Sequence, residues 1–249
     1  MKPKTHFIAL LILALFASCQ STRVQKDAKT EALITAAQKN NVAEARRLIR
    51  KKANVNAKVN DGDTALMFAA GFNSAGVTKL LLAAGADMNA KDNDGYTALM
   101  FAASSNSVEV AKLLLAAGAD VSAKDNDGNT ALMIVTGEDT AKLLLAAGAE
   151  ADARGNDGKT ALMYAAKDNR PDMAKLLLAS GAYINAKDNR GKTALMYAAE
   201  NNAVDVAQLL IAAGADMNAT DNDGKTALMI AEKWYSADVM ELLKAAGAQ

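Results

Sequence analysis

Residues 92–124, DNDGYTALMFAASSNSVEVAKLLLAAGADVSAK, recur in close copies before and after this stretch along most of the chain. The tetrapeptide Thr-Ala-Leu-Met marks the copies, which begin at Thr64, Thr97, Thr130, Thr160, Thr193 and Thr226, at steps of 33, 33, 30, 33 and 33 residues. A period of this length indicates a solenoid, in which each unit buries its apolar face only against its neighbours. The sequence therefore predicts one elongated body in place of one or two globular domains.

One unit consists of two short helices and two turns. The segment Asp92-Asn-Asp-Gly95 is a turn signal, because Asn and Asp bond to their own backbone and Gly accepts a positive φ. Thr97 fits the N-cap of a first helix of about eight residues, and Asn106 fits the left-handed position after its end. A second helix is predicted from about Val108 to Ala117, with Gly118 ending it. The pattern is that of an all-α protein.

Pro171 supports the predicted start of the second helix. It stands where the quoted unit has Val108, in the first turn of that helix, where a missing backbone amide costs nothing.

The inward side of each unit follows from helical spacing. Apolar residues three and four positions apart share one face, and in the quoted unit these are Leu99, Ala102 and Ala103, then Val110, Ala111, Leu113 and Leu114.

Both terminal units differ from the inner ones in ways that suit caps. The first unit has Glu44 and Arg47 at positions that are apolar in inner units. The last replaces the second residue of the Ala pair by Glu232. We expect the nearby Trp234 to pack on the cap, and an end-on contact with a partner is the alternative. Polar outer sides are typical of terminal repeats, because no further unit covers them.

The unit at Thr130 is three residues short, with Gly137 alone where its neighbour has residues 104–107. The deletion falls at the end of the first helix and in the turn, so the stacking of the second helix is retained. We expect a notch there, with local fraying and faster amide exchange around residues 135–140 than in neighbouring units.

The order G-x-T-A-L-M-x-A-A, then L-L-L-A-A-G-A-D, N-A and D-x-D-G, resembles the ankyrin repeat, whose pattern is G-x-T-P-L-H-x-A-A … V-x-x-L-L-x-x-G-A-D-x-N-A. The resemblance covers residues 30–249 and implies a curved ankyrin-repeat solenoid of about seven stacked helix-turn-helix units with hairpin-like loops and a concave face. The units lie near residues 30–63, 64–96, 97–129, 130–159, 160–192, 193–225 and 226–249.

One departure from the ankyrin pattern recurs in six units. The Pro-Leu-His of the family is Ala-Leu-Met here, so we expect flexible apolar contacts to replace the family's histidine-centred hydrogen bonds. The methionines are Met67, Met100, Met133, Met163, Met196 and Met229.

The first eighteen residues have the pattern of a secretory signal. Two lysines precede the apolar run 7–17, which is too short for a membrane-spanning helix of about 20 residues. Phe16-Ala-Ser-Cys19 resembles the lipobox of bacterial lipoproteins, although Phe16 replaces the usual Leu. That resemblance implies cleavage before Cys19, lipidation of its thiol and a membrane anchor, with residues 19–29 as a polar tether. Gln20 favours the outer membrane; the alternative is ordinary cleavage that leaves a soluble periplasmic protein.

The inventory of reactive groups argues against catalysis. Cys19 is the only Cys and His6 the only His, while the many carboxylates recur in equivalent loops. None is therefore singled out for a perturbed pKa. Lys plus Arg equals Asp plus Glu, 28 each, so no bulk charge favours nucleic acid. We expect a protein without enzymatic activity.

Two loop motifs resemble ligand sites and fail on particular positions. The turn 92–95 does not fit a calcium loop, because Ala90 and Phe101 would occupy indispensable ligand positions. Gly158-Lys-Thr160 ends like a phosphate-binding loop, but Ala153 replaces the required earlier Gly. We therefore expect no cofactor, no metal ion and no small-molecule substrate.

Candidate partner-binding residues form two rows. In ankyrin proteins the residue between the tetrapeptide that is Thr-Ala-Leu-Met here and the following Ala pair faces the concave side. These residues form the helix row, which is Phe68, Phe101, Ile134, Tyr164, Tyr197 and Ile230. Packing on neighbouring units is the alternative role for this row. The loop row follows each loop Gly and includes Tyr96 and, towards the C-terminus, Lys159, Lys192 and Lys225. These lysines could favour an acidic partner, or belong to a solvated mixed face with Asp157 and Asp223.

Two functional hypotheses follow. The first is a non-catalytic protein-binding module of the bacterial cell envelope, acting as scaffold, inhibitor or protective partner of an envelope protein. The second is a structural array that contacts envelope polymer or a lipid surface.

Overall fold

The computed structural model describes residues 28–248, which form fourteen helices and, apart from one isolated bridge between Val59 and Asp63, no β-structure. Turns of three residues join the helices into seven antiparallel pairs. The predicted all-α solenoid is confirmed. In chain order the helices are α1 (Ala28–Gln38), α2 (Val42–Arg50), α3 (Ala65–Gly71), α4 (Ala75–Ala83), α5 (Ala98–Ser104), α6 (Val108–Ala116), α7 (Ala131–Ile134), α8 (Glu138–Ala146), α9 (Ala161–Lys167), α10 (Pro171–Ala179), α11 (Ala194–Glu200), α12 (Val204–Ala212), α13 (Ala227–Lys233) and α14 (Ala237–Ala245).

The core is continuous along the stack. First helices of successive units pack on one another, and second helices form a row beside them. Leu99 in α5 is 1% exposed and Leu114 in α6 is 0% exposed. Leu113 was expected to point inward as well, but it is half-buried. The middle leucine of each Leu-Leu-Leu run enters the core, and its two neighbours cover the edges.

Side chains that the sequence singled out set the helix ends. Thr97 Oγ1 accepts a hydrogen bond from the Met100 amide at 3.4 Å, as an N-cap does. Asn106 with φ 50° and Gly118 with φ 92° follow the two helices in the left-handed conformation. Pro171 is the first residue of α10. These four predictions are confirmed.

Methionine has a polar role at two of its six positions. Met67 Sδ accepts the backbone amide of Thr64 at 3.3 Å, while the Met67 amide donates to Thr64 Oγ1. Met196 and Thr193 form the same reciprocal pair. The expectation of purely apolar contact is wrong at these positions, because a thioether sulfur is a weak acceptor and a free amide lies within its reach at the helix start.

A row of asparagines ties the hairpin loops together. The Asn126 side-chain amide donates to the Asn93 carbonyl at 2.8 Å, and its backbone amide donates to the Asp94 carbonyl at 2.9 Å. The loops were predicted only as turns, yet they also supply polar contacts between units. The same two bonds link each later loop to its predecessor through Asn156, Asn189 and Asn222.

A row of cations makes a second set of contacts between units. Lys58 Nζ donates to the Lys91 carbonyl at 2.7 Å, and Lys91 Nζ donates to the Lys124 carbonyl at 2.6 Å. The row continues towards the C-terminus with Lys124, Arg154 and Lys187 as donors.

The short unit is shortened where expected but is not open. Helix α7 has four residues, and the turn after it contains Val135, which is 2% exposed. Arg170 of the following unit donates to the Val135 carbonyl at 2.6 Å and to the Thr136 carbonyl at 2.7 Å. The Thr136 amide donates to the Ala103 carbonyl at 3.2 Å. The guanidinium therefore fills the space of the missing turn, and the expected notch is closed.

We expect Arg170→Ser to lower the free energy of unfolding by about 1–3 kcal/mol, because two carbonyls lose a charged donor. Serine is the matched replacement, since Ser74 and Ser107 occupy the equivalent helix-start position in other units. Amide hydrogen exchange at Thr136 should be slow in the wild type and faster in the variant. Equal exchange rates in the two proteins would show that Arg170 does not close the unit.

The two terminal units differ in how completely their outer sides are covered by polar groups. Glu44 and Arg47 form an ion pair at 2.5 Å on the outer side of the first unit, as a polar cap requires. At the other end Met229 is 49% exposed and Trp234 is 53% exposed. Trp234 was expected to pack on the cap, but its ring lies beside Lys233, with Nζ 5.6 Å from the ring centroid. The C-terminal end is the less completely covered.

The predicted signal segment 1–18 and Cys19 lie outside the described residues. The tether was expected to extend to residue 29, but α1 begins at Ala28 and the Lys29 ammonium donates to the Lys51 carbonyl at 3.4 Å. The stretch before Ala28 is therefore all that remains for a tether. No helix between residues 28 and 248 combines the length and apolar character needed to span a bilayer.

Candidate protein-binding face

The helix row and the loop row form one face. Each helix-row residue is the fourth residue of a first helix, and each loop-row residue stands directly before the capping Thr. The ring centroids of Tyr96 and Phe101 are 5.8 Å apart, which joins the loop row to the helix row. Tyr164 donates a hydrogen bond to Asn129 Oδ1 at 3.2 Å, which joins a helix-row residue to a preceding loop. The predicted binding residues are thus adjacent in space.

Exposure divides the helix row into two parts. Phe68, Phe101, Ile134 and Tyr164 are half-buried and keep part of their surface in solvent. The two C-terminal members, Tyr197 and Ile230, are 3% and 2% exposed. Buried side chains cannot touch a partner directly, so we leave these two out of the contact surface. Packing is their role, which was the alternative for the whole row.

Polar groups cover Tyr197. Its hydroxyl donates to Asp188 Oδ2 at 2.7 Å and accepts a hydrogen bond from Arg190 Nη2 at 2.7 Å. The ammonium groups of Lys159 and Lys192 lie 5.8 and 5.6 Å from its ring centroid. Burial, together with the bond to Asp188, raises the pKa of the tyrosine, so it stays neutral. Arg190 had no part in the sequence-based prediction, yet it helps to hold this cluster.

The lysines of the loop row all have carboxylate partners. Lys159 pairs with Asp157, Lys192 with Glu200 at 2.7 Å, and Lys225 with Asp223 at 3.4 Å. The solvated mixed face, one of the two alternatives for these lysines, fits this pairing better than an unpaired basic patch. The lysines border the contact surface at its C-terminal end.

The N-terminal half has the opposite character. The loop segments 59–63, 92–96 and 125–129 contain six carboxylates and no Lys or Arg. Segments 155–159, 188–192 and 221–225 contain four of each sign. Sequence reasoning missed this asymmetry, although counting charges loop by loop reveals it. The six are Asp61, Asp63, Asp92, Asp94, Asp125 and Asp127.

The acidic loops shift the pKa values of the ionisable groups near them. No carboxylate was expected to have a perturbed pKa, but burial, followed by repulsion from Asp92, Asp61 and Asp94, raises the pKa of Asp63 to about 6. Burial raises the pKa of Tyr96 to about 12, with further contributions from four surrounding carboxylates. Tyr164, which lies next along the face, likewise has its pKa raised to about 12 by burial and nearby carboxylates. Each loop therefore feels the charge of its neighbours.

The chemistry of the face is that of surface recognition. Within residues 28–248 no group of three or more Asp, Glu, Cys or His side chains is placed to hold a metal ion. What the face offers is half-buried rings, hydrogen-bonding tyrosine hydroxyls and charge of changing sign. These features suit contact with another macromolecule.

Comparison with known proteins agrees with this geometry. The sequence model described as "Ankyrin repeats (3 copies)" matches residues 5–92, 33–125, 73–154, 99–188 and 184–249. None of the curated proteins compared with the chain matches it.

Two solved structures are similar over nearly their whole length. The human ASB11 ankyrin repeat domain is 26% identical, with a TM-score of 0.79, and the match covers 87% of this chain and 98% of that domain. The ankyrin repeat domain of Bcl-3, described as a unique member of the IkappaB protein family, is 30% identical with a TM-score of 0.73. That match covers 86% of this chain and 97% of the Bcl-3 domain.

Proposed function

Because the chain belongs to the ankyrin-repeat family, whose repeats serve as protein-interaction modules, we propose that it is a non-catalytic protein-binding component of the bacterial cell envelope. The observation that carries the proposal is the continuous row of half-buried aromatic and aliphatic side chains on one face. Aromatic side chains in partly covered positions are frequent anchors of protein interfaces. The fold holds these side chains on packed helices, so little conformational entropy is lost when a partner binds.

The envelope location rests on the N-terminal sequence. The basic residues, the short apolar run and Cys19 together fit a lipoprotein signal, so we propose a lipid anchor on Cys19 and a periplasmic repeat domain, on the outer membrane. In that position the protein acts as scaffold, inhibitor or protective partner of an envelope protein. Mass spectrometry of the N-terminal peptide from native membranes tests this, since an unmodified Cys19 or an uncleaved leader would contradict the anchor.

Replacing Phe101 and Tyr164 together by Ala is expected to weaken capture of the partner at least tenfold, which corresponds to about 1.4 kcal/mol or more. Both rings are on the face and both are half-buried. The measurement is a pull-down from native envelope extract, with the captured protein identified by mass spectrometry. One defined protein should be lost from the variant sample.

Tyr183→Ala is the matched control, because Tyr183 is an aromatic residue, 61% exposed, in the loop that follows the second helix α10 and not on a first helix. This variant should capture the partner as the wild type does. Circular dichroism and thermal unfolding establish that all three proteins are folded. Unchanged capture by the double variant, with the fold intact, would contradict the proposed binding face.

A second candidate function is contact with an anionic polymer or lipid surface. The observation that favours it is the row of exposed cations, spaced one unit apart, at Lys58, Lys91, Lys124, Arg154 and Lys187. One donor of each side chain already binds a carbonyl group. Co-sedimentation with anionic lipid vesicles or peptidoglycan that persists in the double face variant would favour this function.

A further inference from the structure

We infer that the N-terminal half of the face binds a partner segment that carries Lys or Arg side chains next to apolar ones. This half is formed by Phe68, Tyr96, Phe101 and Ile134, with the carboxylates of the first three loops along its edge. The inference rests on the proposed protein-binding function and specifies the class of partner.

The apolar part of this surface is continuous across units. Helices α3, α5 and α7, which carry Phe68, Phe101 and Ile134, pack on one another in order. The Phe101 ring approaches the backbone at Gly71 of the preceding unit, and Tyr96 lies against Phe101. Half-buried rings at such positions retain free faces for a partner. An apolar side chain of a bound segment can therefore pack against several units at once.

The charges beside this surface select the occupant. None of the six carboxylates of the first three loops takes part in a salt bridge within residues 28–248. Asp92 and Asp125 are partly satisfied by backbone amides, which hold their loops. Asp61, Asp94 and Asp127 stand exposed at the same position of successive loops. Cationic side chains of a partner would supply the counter-charges that the chain itself does not.

Asp63 shows that this part of the surface is short of positive charge. It is half-buried, and the charged groups that act on it most strongly are three other carboxylates. Bringing an ammonium or guanidinium group between these loops reduces that repulsion. Arginine gains a second contact, because its planar group can lie over the rings of Tyr96 or Phe101.

The C-terminal half of the face does not have this shortage of positive charge. Its loop cations are matched by Asp157, Glu200, Asp188 and Asp223 within the chain. The ring of Tyr197 in this half is buried and is contacted by Asp188, Arg190 and Lys192. The two halves of one face thus differ in both charge and accessibility, and only the N-terminal half offers uncovered rings with unpaired charge.

The test is selection from a phage-displayed library of random dodecapeptides on the immobilised repeat domain. We expect the selected peptides to be rich in Lys and Arg with at least one apolar residue. The affinity of a selected peptide, measured by fluorescence anisotropy, should weaken as salt increases, since exposed charge pairs are screened.

The double variant Asp61→Asn, Asp94→Asn should bind that peptide with roughly 3- to 30-fold lower affinity, as expected for the loss of two exposed charge pairs. Asp157→Asn with Asp223→Asn is the matched control, because these residues hold the same loop position in later units. Both variants change the net charge by the same amount, so the control isolates location from bulk charge. The control should change affinity less than about twofold.

The outcomes separate the two proposals. Peptides that are neutral or acidic, or equal weakening by both variants, would overturn the basic-partner inference while leaving protein binding intact. Failure to select any peptide, together with unchanged capture by the Phe101 and Tyr164 double variant, would overturn both. Basic peptides with a selective loss in the Asp61 and Asp94 variant support both.

Discussion

Gly95→Ala is expected to lower the free energy of unfolding by about 3–4 kcal/mol, which makes it one of the most damaging single-methyl additions in the chain. Gly95 has φ +83°, so any side chain there is strained. A Cβ at this position would also lie 2.8 Å from the backbone nitrogen of Asn126 in the next unit. That backbone is fixed by its own bonds to the preceding loop, so neither unit can move away cheaply.

Gly224→Ala provides the matched control. Gly224 has φ +75° in the last of the equivalent loops, where no atom lies within 4 Å of an added Cβ. Gly224→Ala therefore introduces backbone strain without a steric clash, and it should lower the free energy of unfolding by about 1–2 kcal/mol. Chemical denaturation of the two variants gives the difference directly. Equal losses in the free energy of unfolding would mean that adjacent loops are not in close contact, contrary to the structure.

Leu114→Ala is expected to cost about 2–5 kcal/mol, because the side chain is 0% exposed and its removal leaves a cavity in the continuous core. Leu115→Ala, one residue further along the same helix, should cost clearly less, about 1–2 kcal/mol, since Leu115 is half-buried. Urea denaturation followed by circular dichroism measures both. A larger loss from Leu115 than from Leu114 would contradict the orientation of α6.

The Leu114 variant also separates stability from binding. It lies in the second-helix row, away from the candidate face, so at a temperature where the variant remains folded its partner affinity should equal that of the wild type. A binding loss in that folded state would show that the face depends on remote packing.

Much of the fold could be predicted because, in a repeat protein, the residues that set local turns and helix ends also set how neighbouring units pack. Thr97, Asn106, Gly118 and Pro171 each occupy a position that only one kind of backbone geometry explains, and the repeats present the same evidence several times. The period then arranges the units without further information.

Features that depend on contacts between units were less predictable. Arg170 closes the short unit from one repeat away, and nothing in the local sequence of that unit points to it. Tyr197 occupies the same repeat position as Tyr164, but Arg190 and Asp188 bond to its hydroxyl and bury it. The candidate face could therefore be located from the pattern, whereas the accessible part of it required the side-chain contacts.

The central claim is that a protein partner lies on the N-terminal half of the face, and site-specific photo-crosslinking in intact cells tests it most directly. A benzophenone amino acid placed at Phe101 should yield one defined crosslinked protein. The same group at Tyr183, which is exposed in the loop after the second helix α10 and outside both rows, should not yield that product. Crosslinking of the same protein from Tyr183 alone, or with equal yield from both positions, would contradict the account.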